Sequence, residues 1–318
     1  MGPLVIEHLR FWRSSHPVAT PPIEYNDQAI VDNLTENNVR RLWASRRMRE
    51  DEQMYLVHVQ GTAGIGHPTT LVVKKFQNMD GTVDENLENR CKSEMILLAS
   101  IRHDNIVNVL DVIQREDAIM LLYRYAVNGS LDYWLHRREE GDPPLSWPKR
   151  MAIAIADFKA AIASFEAAQM NMAGLNQPLP IVEIPVGNFG YAAPEYGMAT
   201  NQVTEKVDIY GFGVVLLELV TGQAANGAGS DGHLAIWAQK NLEKLMANNL
   251  KMFKNAVDKG ISDQAKYLHE MASVFRLGVD CTIRETQQRP SMLTVHKRLC
   301  RSRGRFCGLL TCYQHRGH

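Results

Sequence analysis

The pattern of hydrophobic positions divides the chain into a strand-rich part followed by a helix-rich part. Within residues 38–76, the segments VRRLWA, MYLVHV and TTLVVKKF are rich in β-branched and aromatic residues and predict three strands. A helix is predicted over 83–101, and two further strands are predicted in NIVNVLDVI and AIMLLYRY. Three strands, a helix and two strands predict one compact α+β unit.

After Asn128 the pattern becomes mainly helical. Ser130 is the predicted N-cap of a short helix. Phe158, Ile162 and Phe165 recur at helical spacing and predict a helix over 147–169. Four more helices are predicted, over 204–221, 233–248, 265–281 and 292–301. The first 33 residues mix polar and apolar positions with four prolines, so they are predicted to form an extended leader that packs on the next domain.

The composition is that of a globular protein with a substantial core, because 45% of its 318 residues are hydrophobic and 22% are charged. Basic and acidic residues both number 35, so neither nucleic acid nor an anionic membrane is a predicted partner. The five cysteines are odd in number and lack framework spacing, which favours a reduced, cytoplasmic setting. No run reaches about 18 uninterrupted apolar residues, so no transmembrane segment is predicted.

One stretch of the helical part carries a specific motif. Residues 189–222, FGYAAPEYGMATNQVTEKVDIYGFGVVLLELVTG, contain Ala193-Pro194-Glu195 and then Asp208 at the start of an apolar helix. Protein kinases close their activation segment with Ala-Pro-Glu. Together with IRHDNIVNVLDVI, LLYRYAVNGSLDYWL and LSWPKRMAIA, this stretch resembles the cytoplasmic kinase domain of plant leucine-rich-repeat receptor-like Ser/Thr protein kinases, over roughly residues 34–300.

The resemblance implies a bilobal protein-kinase-like fold of the α+β class. A β-rich N-lobe is expected over 34–126 and a truncated helical C-lobe over 127–300, between the leader of residues 1–33 and a basic tail of residues 301–318. In that family the Glu of Ala-Pro-Glu pairs with a distant Arg of the C-lobe. Glu195, Asp208 and Arg289, which lies in QQRPSM, are therefore expected to have structural roles.

The resemblance also implies a nucleotide site in the N-lobe. Lys74, in LVVKKF, matches the strand-borne Lys that holds the α- and β-phosphates of ATP, and Glu94 matches the helical Glu that pairs with it. Tyr123 is the expected gatekeeper behind the adenine, and Tyr125 and Ala126 belong to the expected hinge. ATP is thus the expected ligand, with weak binding because parts of the family pattern are missing.

The first missing part is the glycine-rich loop that covers the phosphates. Only glycine lets backbone N–H groups approach the phosphates so closely. No glycine lies between Asn38 and Gly61, and the segment at the expected place, RRMREDEQ, is bulky and charged. The sequence GTAGIG at 61–66 follows the second predicted strand and is interpreted as a hairpin loop.

The second missing part is the catalytic loop, H-R-D-x-x-x-x-N, whose Asp accepts the substrate hydroxyl proton and whose Asn holds Mg²⁺. The nearest match, Arg102-His103-Asp104, belongs to the segment before the fourth strand. No such loop lies between Trp147 and the Ala-Pro-Glu motif. The sequence therefore predicts no catalytic residue.

Asp157-Phe158-Lys159 allows two interpretations. It is either the remnant of the Asp-Phe-Gly motif, with Asp157 as a Mg²⁺ ligand and Lys159 in place of the glycine, or part of a continuous helix, IADFKAAIASFEAAQ, with Asp157 on its polar face. The alanine content favours the helix. Mg²⁺ binding depends on the first interpretation.

Three functional hypotheses follow from this pattern. The first is a pseudokinase that acts in signalling by binding other signalling proteins or receptor kinases, in the cytoplasm or at the inner face of the plasma membrane through a partner. The second is an active ATP-dependent Ser/Thr kinase with substitute groups. The third is a truncated, non-functional gene product, because deletion of the catalytic loop removes part of the C-lobe core.

Overall fold

The computed structural model describes residues 26–34, 51–59, 69–100, 103, 105–107, 109–155, 179–180, 190–197, 202–227, 232–247 and 250–304. The described residues up to Val127 form one compact unit and those from Asn128 onward form a second. Each unit has its own hydrophobic core.

An antiparallel sheet organises the first unit. Its strands are β1 (Glu52–Val59), β2 (Thr69–Phe76), β3 (Val109–Gln114) and β4 (Ile119–Arg124), in the spatial order β1-β2-β4-β3. Four of the five predicted strands are thereby confirmed. The fifth, VRRLWA, lies outside the described residues.

Helices cover both faces of this sheet. Helix α1 (Asp27–Asp32) places Ile30 against the face that carries Met120 and Leu122, whereas α2 (Glu85–Ser100) packs on the face that carries Leu121 and Tyr123. The alternation along β4 follows from the two-residue period of a strand. Since both faces are covered, the whole apolar run of β4 is buried, as its sequence suggests.

The expectation of an extended leader is wrong for residues 27–32, which are helical. The Asn26 side chain accepts a hydrogen bond from the backbone N–H of Gln28 at 2.8 Å and so caps the helix. Ile30 is completely buried against the sheet. A six-residue helix with one fully buried side chain has too short a periodic pattern to be predicted from sequence.

Helices dominate the second unit, as predicted. After a π-helical turn (Tyr133–Arg137), the helices are α3 (Trp147–Ala154), α4 (Lys206–Thr221), α5 (Leu234–Met246), α6 (Phe253–Ala256), α7 (Gln264–Cys281) and α8 (Met292–Gly304). Short 3₁₀ turns span Pro194–Gly197 and Thr286–Gln288, and β5 (Leu179–Pro180) pairs with β6 (Gln202–Val203). The prediction of an α+β fold with a strand-rich first part and a helical second part is confirmed.

The start of the second unit agrees with the predicted cap at Ser130, whose hydroxyl accepts a hydrogen bond from the Tyr133 backbone N–H at 3.2 Å. Helix α3 ends at Ala154, with Ile155 as its C-cap. Asp157 and the remainder of the predicted helix over 147–169 lie outside the described residues. Both interpretations of Asp157-Phe158-Lys159 therefore stay open.

Two glycines allow α4 and α7 to pack in close contact. A Cβ added at Gly213 of α4 would lie 2.5 Å from Cβ of Cys281, and one added at Gly278 of α7 would lie 2.9 Å from the Leu217 side chain. Both distances are shorter than van der Waals contact allows. The core of the second unit thus depends on the absence of side chains at this crossing.

Gly213→Ala is therefore expected to lower the free energy of unfolding by about 1–3 kcal/mol, the usual effect of overpacking a core. Gly211→Ala, in the same helix, is the matched control, because its Cβ would meet only a backbone oxygen at 3.5 Å. The control should gain up to about 1 kcal/mol from better helix propensity. Urea unfolding of both variants measures the difference, and equal stabilities would contradict the packing argument.

Candidate functional site

The structure brings Lys74 of β2 and Glu94 of α2 together. Lys74 Nζ donates to Glu94 Oε2 at 2.9 Å, and both side chains are about 95% buried. Strand alternation places Lys74 on the face of β2 that carries Phe76, against α2, and its ammonium lies 4.8 Å from the centre of the Phe76 ring. The pairing expected from sequence is thus present within the first unit.

Tyr123 of β4 adds a contact that the sequence did not reveal. Its hydroxyl donates to Glu94 Oε1 at 2.9 Å, so both carboxylate oxygens of Glu94 have buried partners. Two hydrogen bonds on one carboxylate fix its orientation toward Lys74. Besides its expected place behind the adenine, Tyr123 therefore positions the ion pair.

A second carboxylate, missed by the sequence analysis, also contacts Lys74. Glu52 lies at the start of β1, is buried, and places Oε2 at 3.2 Å from Lys74 Nζ. Arg90 of α2 forms ion pairs with both Glu52 and Asp51. The sequence signal was the charged segment RRMREDEQ, at the place where the resemblance leads one to expect the glycine-rich loop.

These five side chains, Asp51, Glu52, Lys74, Arg90 and Glu94, are called the Lys74 cluster below. Burial alone would lower the pKa of Arg90, but the hydrogen bond and charge of Asp51, together with Glu52, raise it above its ordinary value. With all five groups ionised, the cluster holds two cations and three carboxylates. An incoming anion would therefore meet an excess of negative charge from the described residues of this cluster.

Cys91 of α2 lies beside this cluster. Burial raises the pKa of its thiol from the ordinary 9.0 to about 12, with a smaller contribution from the negative charge of Glu94. The thiolate is the reactive form of cysteine. The buried Cys91 is therefore expected to be inert at neutral pH.

The expected result of alkylating the folded chain with iodoacetamide at pH 8 is that Cys91 reacts about 10³-fold more slowly than an ordinary thiol, because the higher pKa reduces its thiolate fraction by that factor. Site-resolved mass spectrometry measures the rate, and the same chain unfolded in urea is the control. Equal rates in the folded and unfolded chain would contradict this assignment.

The expected hinge residues follow β4 directly. The Tyr125 backbone N–H donates to the Thr70 carbonyl at 3.4 Å, and its side chain is half-buried, whereas Ala126 is exposed. Their contact with an adenine edge stays a prediction.

In the second unit the structure brings Glu195 and Arg289 together across 94 positions of sequence. The guanidinium of Arg289 donates to both carboxylate oxygens of Glu195, at 2.7 and 2.8 Å, and both side chains are buried. Arg289 also donates to the backbone carbonyls of Ile283 and Lys206, at 2.7 and 2.9 Å. This bidentate pair ties the 3₁₀ turn that carries Glu195 to the segment before α8.

Asp208 lies in the first turn of α4 and is not part of such a network. Its side chain is exposed, although the surrounding protein raises the pKa of its carboxyl, with a smaller contribution from Glu205. Among the residues that the structure describes, none forms a hydrogen bond with the Asp208 carboxylate. In the family that the sequence resembles, the catalytic loop supplies a partner for this Asp.

Two further expectations concern metal and membrane. Asp157, the candidate Mg²⁺ ligand, lies outside the described residues. Among those that are described, no group of three or more His, Cys, Asp or Glu side chains could hold a metal ion. No described helix is both long enough and apolar enough to span a membrane.

Comparison with known proteins gives the same fold. Residues 55–179 match the family model of the protein tyrosine and serine/threonine kinases. The leucine-rich repeat receptor protein kinase MSP1 of Oryza sativa subsp. japonica is 28% identical over 311 residues, which cover 86% of this chain and 23% of that protein. Receptor-like protein kinase 5 of Arabidopsis thaliana is 30% identical, over 89% of this chain and 30% of its own length.

A third relative is named as a probable inactive receptor kinase of Arabidopsis thaliana. It is 30% identical over 247 residues, which cover 67% of this chain and 40% of that protein. The chain thus spans between 23% and 40% of the length of these three relatives. The antiparallel N-lobe with its Lys74–Glu94 pair, the helical C-lobe and these matches identify the chain as a protein kinase domain related to plant leucine-rich repeat receptor-like kinases at about 30% identity.

Proposed function

We propose that this chain is a pseudokinase of the receptor-like kinase type, which acts in signalling by binding other proteins rather than by transferring phosphate. The observation that carries the proposal is in the sequence: no His-Arg-Asp motif lies between Trp147 and the Ala-Pro-Glu motif. Without that Asp, no family residue is available to accept the proton of a substrate hydroxyl. Removal of a positioned general base costs about 10²–10⁴-fold in rate.

Two structural observations support the same conclusion. Glu52 begins β1 and Asp51 directly precedes it, at the end of the segment where the family has glycines for phosphate binding. Asp208, which would hold a catalytic loop, is exposed. In contrast, the Glu195–Arg289 pair, which only stabilises the C-lobe, is intact. The chain keeps scaffold contacts, whereas its sequence lacks the catalytic loop that acts on the substrate and the glycines that cover the phosphates.

The proposed partners are receptor kinases or other signalling proteins, encountered in the cytoplasm or at the inner face of the plasma membrane. ATP binding, if retained, is weak, and Mg²⁺ has no proposed role. An active Ser/Thr kinase remains the alternative, because the Lys74–Glu94 pair is present. Cooperative unfolding of the purified chain would exclude the hypothesis of a truncated, non-functional product.

The test is a phosphotransfer assay with the purified chain, radiolabelled ATP, Mg²⁺ or Mn²⁺, and a generic protein substrate. No incorporation above the enzyme-free control is expected, while the purified chain should bind saturably to a receptor-like kinase domain in calorimetric titration. Incorporation that scales with the concentration of this chain, and that is lost in Lys74→Met but kept in Lys75→Met, would overturn the proposal.

A further inference from the structure

Glu52 places a second carboxylate against Lys74, the residue that the family resemblance assigns to nucleotide phosphates. In the family, the strand-borne Lys contacts nucleotide phosphates and is held by a single helical Glu. Here Lys74 is shared between two carboxylates, with Glu94 Oε2 at 2.9 Å and Glu52 Oε2 at 3.2 Å. All three side chains are almost completely buried. The second carboxylate is therefore a feature of this chain.

Glu52 is also fixed from its other side. Its second oxygen, Oε1, forms an ion pair with Arg90 of α2, which in turn pairs with Asp51. Because each Glu52 oxygen has its own cation, rotation of the carboxylate away from Lys74 would break at least one ion pair. Displacement of the Glu52 carboxylate from Lys74 by a weakly bound ligand is therefore unfavourable.

We propose that the Glu52 carboxylate is a built-in anion that occupies Lys74 and prevents it from binding nucleotide phosphates. The inference rests on the proposed function in one respect, namely that Lys74 is the phosphate-contacting Lys of a kinase-derived site. It goes further by stating which part of the ligand is recognised. The phosphates of a nucleotide add no binding affinity, so the chain binds ATP no more tightly than adenosine.

The charge of the Lys74 cluster supports the proposal that nucleotide phosphates do not bind at Lys74. A triphosphate close to Lys74 would also lie close to Glu52, and like charges repel strongly where burial excludes water and lowers the effective dielectric constant. Arg90 does not offset the repulsion, because Asp51 and Glu52 already neutralise it. Removal of one negative charge, that of Glu52, is therefore the smallest change that frees Lys74 for an anion.

The experiment is isothermal titration of the full chain with ATP and with adenosine, both without metal. In the unchanged chain the two ligands should have equal affinity. Glu52→Gln keeps the shape and an acceptor oxygen, and should strengthen ATP binding by about tenfold at low salt, with adenosine unchanged. Glu88→Gln, which removes a charge from the half-buried Glu88–Lys92 pair of α2, is the matched control and should leave both affinities unchanged.

Several outcomes would overturn the inference. The first is an ATP affinity that is the same in Glu52→Gln as in the unchanged chain, including the case in which neither binds ATP measurably. The second is a gain in ATP affinity in Glu88→Gln that equals the gain in Glu52→Gln. Phosphotransfer by the unchanged chain would instead contradict the proposed function. Since the catalytic Asp is absent in either case, Glu52→Gln should gain ATP binding without gaining phosphotransfer.

A second measurement needs no variant. Acetylation of the unchanged chain with a water-soluble N-hydroxysuccinimide ester, followed by mass spectrometry, compares Lys74 with its neighbour Lys75, whose Nζ donates to Gln77. Millimolar ATP should not slow the acetylation of Lys74, because the nucleotide does not reach it. Protection of Lys74 but not Lys75 by ATP would show phosphate contact and overturn the inference, even if Glu52→Gln failed to fold.

Discussion

Replacement of Arg289 by methionine is expected to lower the free energy of unfolding by about 3–5 kcal/mol, because it leaves the buried Glu195 carboxylate without its cation. Methionine retains most of the side-chain volume, so the loss reports on charge and hydrogen bonding rather than on a cavity. Arg289 donates two hydrogen bonds to Glu195 and further ones to backbone carbonyls. Urea unfolding followed by circular dichroism measures the change.

Two further variants make this prediction sharp. Arg298→Met removes a cation from an exposed pair with Asp280 and should cost less than about 1 kcal/mol. The double variant Glu195→Gln with Arg289→Met removes both charges and should be more stable than Arg289→Met alone, because no uncompensated buried charge remains. If Arg289→Met and Arg298→Met lower the free energy of unfolding equally, the Glu195–Arg289 pair does not stabilise the C-lobe as described above.

Replacement of Lys74 by methionine is expected to destabilise the fold by about 3–5 kcal/mol as well, apart from any effect on activity. Lys74 is the cation that Glu52 and Glu94 share in a buried site. Its loss removes the Lys74 cation from Glu94 and one of the two cations that Glu52 contacts. The melting temperature and the urea midpoint should both fall.

Lys75→Met is the matched control for this prediction. Lys75 is the next residue of β2, on the opposite face, and is half-buried with Gln77 as its partner. Its loss should change the free energy of unfolding by less than about 1 kcal/mol. If the free energies of unfolding of the two variants differ by less than about 1 kcal/mol, the buried ion pairs of Lys74 do not stabilise the fold as described. Loss of function in Lys74→Met is meaningful only if that variant is still folded at the assay temperature.

The pairs that could be predicted from sequence are those whose residues lie in long family-like segments. Glu195 and Arg289 were expected to meet because each belongs to a motif of fixed order, and Lys74 and Glu94 for the same reason. Alternation along β2 then decides which of the two lysines faces α2. Such pairings depend on motif order and strand period, both of which can be read directly from the chain.

Glu52 could not be predicted in this way. In the sequence it is one of several charged residues in RRMREDEQ, where a solvated loop is the simplest interpretation. Its burial follows from the exact register of β1 with β2, in which Glu52 pairs with Phe76 two positions from Lys74. A shift of one residue would turn its side chain to the other face of the sheet. Tertiary register, rather than composition, creates the second contact of Lys74.

The span of the Glu195–Arg289 pair has a consequence for synthesis of the protein. A ribosome adds about 5–20 residues per second, so the 94 positions between the two partners correspond to roughly 5–20 s of translation. During that interval Glu195 has already emerged, whereas its cation has not. The helical lobe therefore cannot reach its final packing co-translationally until residue 289 leaves the exit tunnel, and nascent chains in this window are expected to be clients of chaperones.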